Sequence, residues 1–441
     1  MSDRYPKVLF ITPCAFNKIT GGGVTFSNLF LDWPKDKLAT VTNDPVAVSR
    51  DVCSKYFFLS SKELSHIRPF SFLKSKKRDS LGDWEPMHAQ RNTGISSWVL
   101  AVGKKLMGEA GIPDRGILSE ELKAWINEFR PDLLYTILGT PGYIDLVLQI
   151  EREFNLPLVT HLMDDGVTDP RKRGFFGKYL RFLYGCKFRR VLGRTKLAIG
   201  ICDAMAKEYS GRYRVPFGHF QNAVDLQRWE RFAKKDVIVS EKPRIVYVGS
   251  ILKNAQFQSL LDCCHAVRKL NQMGVAVGLD IYAPKELFSS VLPVFKVSPD
   301  INVLDIPEKD EDYFSLLGKA DVLLLPVNFD PSSVDFVRLS MPTKVPSYLA
   351  SGTPILVYGP QGVAQVEYAR EYGWGEVIDR QNIDVLAGAV RHMIEDPALR
   401  QELSTKAKKA AKDNHDGRKV REAFQEALCH AAFKDGCPEP C

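Results

Sequence analysis

The sequence predicts an α/β protein made of two doubly wound, Rossmann-like domains that face each other across a cleft. Three observations predict it. Short apolar runs alternate with helical patterns in both halves, the series starts afresh near Arg244, and the stretch between the halves loses strand character and gains charge. Such alternation implies parallel strands joined by helical crossovers, and two series imply two sheets. At 441 residues the chain also exceeds the roughly 250 to 300 residues at which a single core stops growing efficiently.

In the first half the strand-like runs are Val8 to Thr12, Leu38 to Thr42, Leu133 to Thr136, Leu158 to His161 and Leu197 to Ile201. In the second they are IVYVGS after Arg244, GLDIYA at 278–283, INVLDI at 301–306, DVLLLPV at 321–327 and PILVYG at 354–359. Residues 1–222 are therefore assigned to one domain and 223–413 to the other, joined through AVDLQRWERFAKKDVIVSEKPR. The stretch Asp396 to Ala432 reads as charged helix, whose last part, 414–432, is a candidate to pack back on the first domain; 433–441 is a tail. Residues 60–95, with KSKKRDS and no clear period, read as a long basic loop.

Composition is that of a soluble globular protein, 45% hydrophobic and 26% charged. No run approaches the ~18 apolar residues of a membrane span, and MSDRYPKVLFITP lacks a signal peptide's layout, so the expected location is the cytosol. Nine cysteines without paired spacing argue against a zinc site or a disulfide framework, and most read as small buried residues with reduced thiols. The net charge of +7 is unevenly spread: residues 171–196 carry ten Lys or Arg and no acid, interleaved with aromatic and aliphatic residues at helical spacing. Arg171, Lys172, Arg173, Lys178 and Arg181 are thus candidates to meet an anionic membrane surface or an acceptor. A core helix with a solvated basic side fits the same pattern. Nucleic acid is not the expected partner, since no recognised binding module appears.

Candidate chemistry sits where strands end. In SSVDFVRLSMPTKVPSYLASGTPILVYG (332–359), Thr343 reads as the N-cap of a short helix, Lys344 falls in its first turn, and Ser351 and Gly352 stop it before a buried strand. Free backbone N–H groups and a lysine there suit a phosphate. After the first strand, Gly21, Gly22 and Gly23 let backbone approach a ligand, although a flexible turn explains them too; neither a dinucleotide fingerprint nor a Walker loop is present. His161, Asp164 and Asp165 read as a histidine and two carboxylates at a loop tip, able to orient or deprotonate a hydroxyl, or equally as caps. Two adjacent aspartates alone are a weak metal signal. Ser250 and Lys253 follow the strand IVYV and suit a diphosphate, while Asn222 and Asp225 read as a structural turn.

These pieces together resemble the two-domain glycosyltransferases of the GT-B fold, nearest the large retaining family 4, also called glycosyltransferase group 1. The matching runs are VLFITP with GGG at 21–23, RPDLLYTILG at 130–139, THLMDD at 160–165, IGICDAMAKEYSGRY at 199–213, QNAVD at 221–225, YVGS at 247–250, ADVLLLPV at 320–327 and PTKVPSYLASGTPILVYGP at 342–360. The resemblance implies transfer of a sugar from a nucleotide-sugar donor, gripped by the C-terminal domain, to a hydroxyl acceptor presented by the N-terminal one. It further implies donor contacts from Lys253, Thr343 and Lys344, cover of the sugar and phosphates by Gly22 and Gly23, and His161, Asp164 and Asp165 near the reacting sugar.

The sequence departs from the family at one place. Many members carry two glutamates eight residues apart, and here those positions are Leu339 and Ser347. Serine can hydrogen-bond, but it lacks the carboxylate that usually grips ribose hydroxyls; Asp335 is the nearby candidate to replace it. The resulting expectation is a metal-independent, cofactor-free transferase, retaining, serving cell-surface polysaccharide or glycoconjugate synthesis on a lipid-linked acceptor at the inner membrane face. A lapsed sugar-nucleotide-binding scaffold and a GT-B epimerase are the alternatives.

Overall fold

The computed structural model describes residues 5–66, 114–165, 177–285 and 288–433. The chain divides into two compact units, Met1–Asn222 with Arg421–Cys441, and Ala223–Val420. Arg171, Lys172, Arg173 and most of the basic stretch at 60–95 lie outside the described residues.

The first unit is built on a seven-stranded parallel sheet in the order β3-β2-β1-β6-β7-β8-β9. Its strands are β1 (Val8–Thr12), β2 (Leu38–Thr42), β3 (Lys55–Phe58), β6 (Leu133–Ile137), β7 (Leu158–Leu162), β8 (Thr195–Gly200) and β9 (Phe217–His219); β4 (Leu64–His66) and β5 (Asp114–Gly116) form a separate antiparallel pair. Every residue of β1, β2, β6 and β7 is buried, as expected of parallel strands covered on both faces. The crossovers are α1 (Gly21–Leu29), α2 (Glu120–Phe129), α3 (Pro141–Phe154), α4 (Gly177–Leu192) and α5 (Asp203–Tyr213). Local chemistry starts them: Ser119 accepts from Leu122 N–H ahead of Glu120 and Glu121, and Thr140 caps α3 with Pro141 behind it. Tyr135 packs edge to face against Phe10, Phe26 and Phe30, and Phe424 joins this cluster with its ring 5.0 Å from Phe30.

The second unit carries a six-stranded parallel sheet, β12-β11-β10-β13-β14-β15. Its strands are β10 (Arg244–Val248), β11 (Gly278–Ala283), β12 (Ile301–Asp305), β13 (Val322–Pro326), β14 (Ile355–Tyr358) and β15 (Gly375–Ile378). Around it lie α6 (Leu226–Trp229), α7 (Phe257–Gln272), α8 (Phe288–Phe295), α9 (Asp310–Lys319), α10 (Pro331–Val337), α11 (Val345–Ser351), α12 (Ala364–Tyr372), α13 (Ile383–Glu395) and α14 (Pro397–Asn414). One apolar cluster covers each face, with Cys263, Leu279 and Met393 on one side and Trp229, Tyr348 and Trp374 on the other. The last helix, α15 (Gly417–Ala432), contains Arg421, where the chain returns to the first unit.

In both sheets the strand order reverses beside a central strand, between β1 and β6 and between β10 and β13. Loops at the carboxyl ends of such strand pairs form the crevice where doubly wound sheets bind ligands. Among the described residues no helix is long and apolar enough to cross a membrane. Cys429 is disulfide-bonded, an exception to the reading of most cysteines as reduced, and Cys186 is a free but exposed thiol; Cys14, Cys53, Cys202, Cys263 and Cys264 are free thiols, Cys14 half-buried and the others buried.

Candidate functional site

In the second unit the reversal point is held together by Asn328, two residues after the end of β13. Its Oδ1 accepts from the N–H groups of Gln258 (3.0 Å) and Ser259 (3.2 Å), and its Nδ2 donates to the Lys253 carbonyl (2.9 Å) and Ser333 Oγ (3.2 Å). One buried carboxamide thus fixes the loop after β10 to the start of α7 and to α10. Sequence reasoning missed it, although a polar residue ending the run VLLLPV is a legible signal.

The loop so fixed carries Ser250 and Lys253, both exposed. Lys253 has no ion-pair partner among the described residues. The Ser250 carbonyl accepts a 2.5 Å hydrogen bond from Tyr247 Oη, which anchors the turn to the end of β10. Between them Gly249 adopts φ +138°, a conformation that L side chains rarely take, and a Cβ there would lie 2.6 Å from Lys344 Nζ.

Lys344, itself in a right-handed helical conformation and making no side-chain cap, is the N-cap residue of α11 in place of the expected Thr343; Thr343 is half-buried just before it. The Lys344 ammonium sits 3.9 Å from the centre of the Tyr247 ring, against Gly249. No carboxylate among the described residues pairs with it; the residue as a whole is half-buried, and the partial burial of its ammonium lowers its pKa to about 7. A partly desolvated cation held over an aromatic ring beside a glycine turn is an incomplete ion pair that an anion would complete.

The two positions where a carboxylate was sought are accounted for locally. Ser347 lies inside α11 and hydrogen-bonds Tyr313 of α9, and Leu339 is buried. Asp335, the candidate to replace that carboxylate, is exposed on α10.

In the first unit three expectations need correction. Gly22 and Gly23 are not a loop but the first turn of α1, whose N-cap Thr20 accepts from Gly23 N–H at 3.1 Å. They are small because the preceding loop folds against them: a Cβ on Gly22 would meet Cys14 Sγ at 2.8 Å, and one on Gly23 the Asn17 carboxamide at 2.3 Å. His161 is not at a loop tip. It belongs to β7, is 0% exposed, and shares a 2.5 Å hydrogen bond through Nδ1 with Tyr135 Oη; burial drives its pKa down to about 3, so it is neutral and out of reach of solvent. Asp165 is likewise buried, accepting from Tyr209 Oη (2.7 Å) and Arg212 Nη1 (3.0 Å), an internal pair that ties the end of β7 to α5. Of that trio only Asp164 is exposed at the carboxyl end of the sheet. Lys178 is exposed and Arg181 half-buried on α4. Among the described residues no group of three His, Cys, Asp or Glu is placed to hold a metal ion.

Residues 229–410 match the family model described as glycosyl transferases group 1. No curated protein sequence matches the chain. Among solved structures it is similar to sucrose-phosphate synthase (tll1590) from Thermosynechococcus elongatus, at 11% identity and TM-score 0.62, with 96% of this chain and 98% of that one covered. It is also similar to Anabaena Alr3699/HepE in complex with UDP, at 14% identity, TM-score 0.57 and 96% and 99% coverage. A third likeness is to a glycosyltransferase from Rickettsia africae ESF-5, at 12% identity, TM-score 0.57 and the same coverages. The architecture of two parallel sheets, of seven and six strands, is that of GT-B glycosyltransferases.

Proposed function

We propose that this chain, whose residues 229–410 belong to the glycosyl transferases group 1 family, moves a sugar from a nucleoside-diphosphate donor to an acceptor hydroxyl. The observation that carries the reading is Lys344, a partly desolvated ammonium without a carboxylate partner among the described residues, set beside the glycine turn at the reversal point of the second sheet. A donor diphosphate supplies the missing negative charge. Lys253 on the same loop adds a second cation, and Ser250 and Thr343 add hydroxyls. The similarity to a protein crystallised with UDP supports a uridine nucleotide as the first donor to try.

In the proposed reaction the bond between the sugar's anomeric carbon and the donor phosphate oxygen breaks as the bond to the acceptor oxygen forms. The acceptor proton passes to the departing phosphate on the same face, which retains configuration and asks for no side-chain nucleophile. The lysines stabilise charge as it develops on the leaving phosphate, so the transfer is proposed to need no resident metal; losing one such interaction costs roughly 10²- to 10³-fold in rate. Asp164, exposed at the carboxyl end of β7, is the candidate to orient the acceptor. A role in cell-surface glycoconjugate synthesis belongs to this proposal.

Ser347 and Leu339 favour a second reading, a sugar-nucleotide-binding protein without turnover, because no carboxylate stands where ribose is usually gripped. The test is titration calorimetry with UDP-, GDP-, ADP- and CMP-sugars, followed by an assay of slow donor hydrolysis. Selective binding that Lys344→Ala weakens by roughly tenfold or more, with hydrolysis, is expected. Binding without hydrolysis selects the second reading, and no binding of any nucleotide overturns both.

A further inference from the structure

Helix α4 (Gly177–Leu192) has two unlike sides. Tyr184, Phe188, Val191 and Leu192 are buried, with the Phe188 ring edge to face on Tyr209 at 6.0 Å. The other side carries Lys178, Tyr179, Phe182, Cys186, Arg189 and Arg190, all exposed, with Tyr179 at 56% and Phe182 at 70%. At about 100° per residue these six fall within an arc of about 120°, and at about 1.5 Å per residue they run for about 18 Å. The stripe is therefore two exposed aromatic rings bracketed by cations at both ends.

The cations of this segment are unevenly paired, with Arg181, off the stripe, also without a carboxylate partner among the described residues. Lys187 and Arg194, off the stripe, are neutralised by Asp145 (2.6 Å) and Glu151 (2.7 Å). Lys178, Arg189 and Arg190, on the stripe, pair with no carboxylate among the described residues. A helix whose only need was solubility would not hold a phenylalanine in water among unneutralised cations, since that arrangement forgoes both apolar burial and charge pairing. Both deficits are met at once by an anionic bilayer surface, where rings enter the headgroup boundary and lysine and arginine meet lipid phosphates.

We infer that the exposed stripe of α4 docks this protein on the surface of an anionic lipid bilayer, with Phe182 and Tyr179 entering the headgroup layer and Lys178, Arg189 and Arg190 on lipid phosphates. This surface is independent of the sugar-transfer reading and survives its failure. Charge complementarity together with apolar rings on one convex helix face favours a bilayer over nucleic acid, whose phosphates alone would not use a lipid-depth wedge.

The experiment is co-sedimentation of the full chain with vesicles of phosphatidylcholine alone or mixed with phosphatidylglycerol, at low and high salt. Binding is expected only with the anionic mixture, weakened by salt. Arg189→Glu with Arg190→Glu is expected to lower vesicle affinity by at least roughly thirtyfold, the factor two surface cations contribute. Phe182→Ser, a change at an exposed position that leaves the core intact, is expected to weaken it by roughly tenfold. An environment-sensitive dye on Cys186, with Cys186→Ser as the blank, should shift to shorter wavelength on binding. Equal sedimentation with both vesicle types, unchanged affinity of the variants, a silent dye, or binding to an oligonucleotide in place of vesicles overturns the inference.

Discussion

At the residue scale, Lys344 and His161 show burial acting on two bases to opposite functional effect. In the proposed function Lys344 is the ligand of the donor diphosphate: with its pKa near 7, part of the free protein lacks the charge at neutral pH, and a bound diphosphate would restore it. Binding then takes up a proton above pH 7. Nucleotide affinity is expected to fall as pH rises from 7 to 9, and calorimetry in buffers of different ionisation enthalpy should detect the proton; a flat profile counts against Lys344 as the phosphate ligand. In the absence of nucleotide the sign for stability is the reverse. The unfolded chain holds more protons than the folded one between about 7 and the ordinary lysine value, so this residue's contribution to stability rises with pH there. His161 has its pKa lowered to about 3 from 6.5, so the unfolded state binds the extra proton between those values and stability falls as pH drops through that window. Acid melting curves of His161→Asn should be flatter between pH 6.5 and 4 than those of the parent, and parallel curves would exclude the effect. Neither behaviour is legible in the sequence. A histidine after a strand run and a lysine after Pro-Thr look alike until the burial of each is known.

At the element scale, the strands were legible because parallel strands buried on both faces leave unbroken apolar runs. The ten runs read from the sequence correspond to ten strands, with ends differing by at most two residues. The strands that escaped notice are short, partly exposed or at a sheet edge: β3, β9 and β15 have intermediate or exposed residues throughout, so their apolar signal is weak. The glycines at 21–23 were misread for a different reason. Their helix start is set by Thr20 and by the crowding of Asn17 and Cys14, contacts made by a loop whose course the sequence does not reveal. The same kind of crowding fixes the turn after β10. Gly249→Ala would combine an unfavourable positive φ with a collision against Lys344, and is expected to cost about 1 to 3 kcal/mol of stability and to displace the ammonium. Urea denaturation and nucleotide titration of that variant check both parts; an unchanged nucleotide affinity would show that the turn does not position Lys344.

At the scale of the whole molecule, each unit has its own sheet and core, so ligand binding should register in one of them. Scanning calorimetry of the full chain is expected to resolve two transitions, and a nucleotide at about 100 times its dissociation constant should raise only the one belonging to Ala223–Val420, by about 2.7 kcal/mol. A shift of the other transition alone would relocate the donor site. The sequence by itself determined the fold class, the two parallel sheets and the match of 229–410 to group 1, because hydrophobic periodicity and turn residues are local properties of the chain. Tertiary structure alone decided which polar residues do what. It withdrew His161 and Asp165 into the interior, gave Ser347 to Tyr313, set Lys344 over Tyr247 and left the aromatic stripe of α4 in water. The physical reason is that a side chain's charge, reach and partners depend on how much solvent is removed from it, and that is fixed by segments distant in the chain.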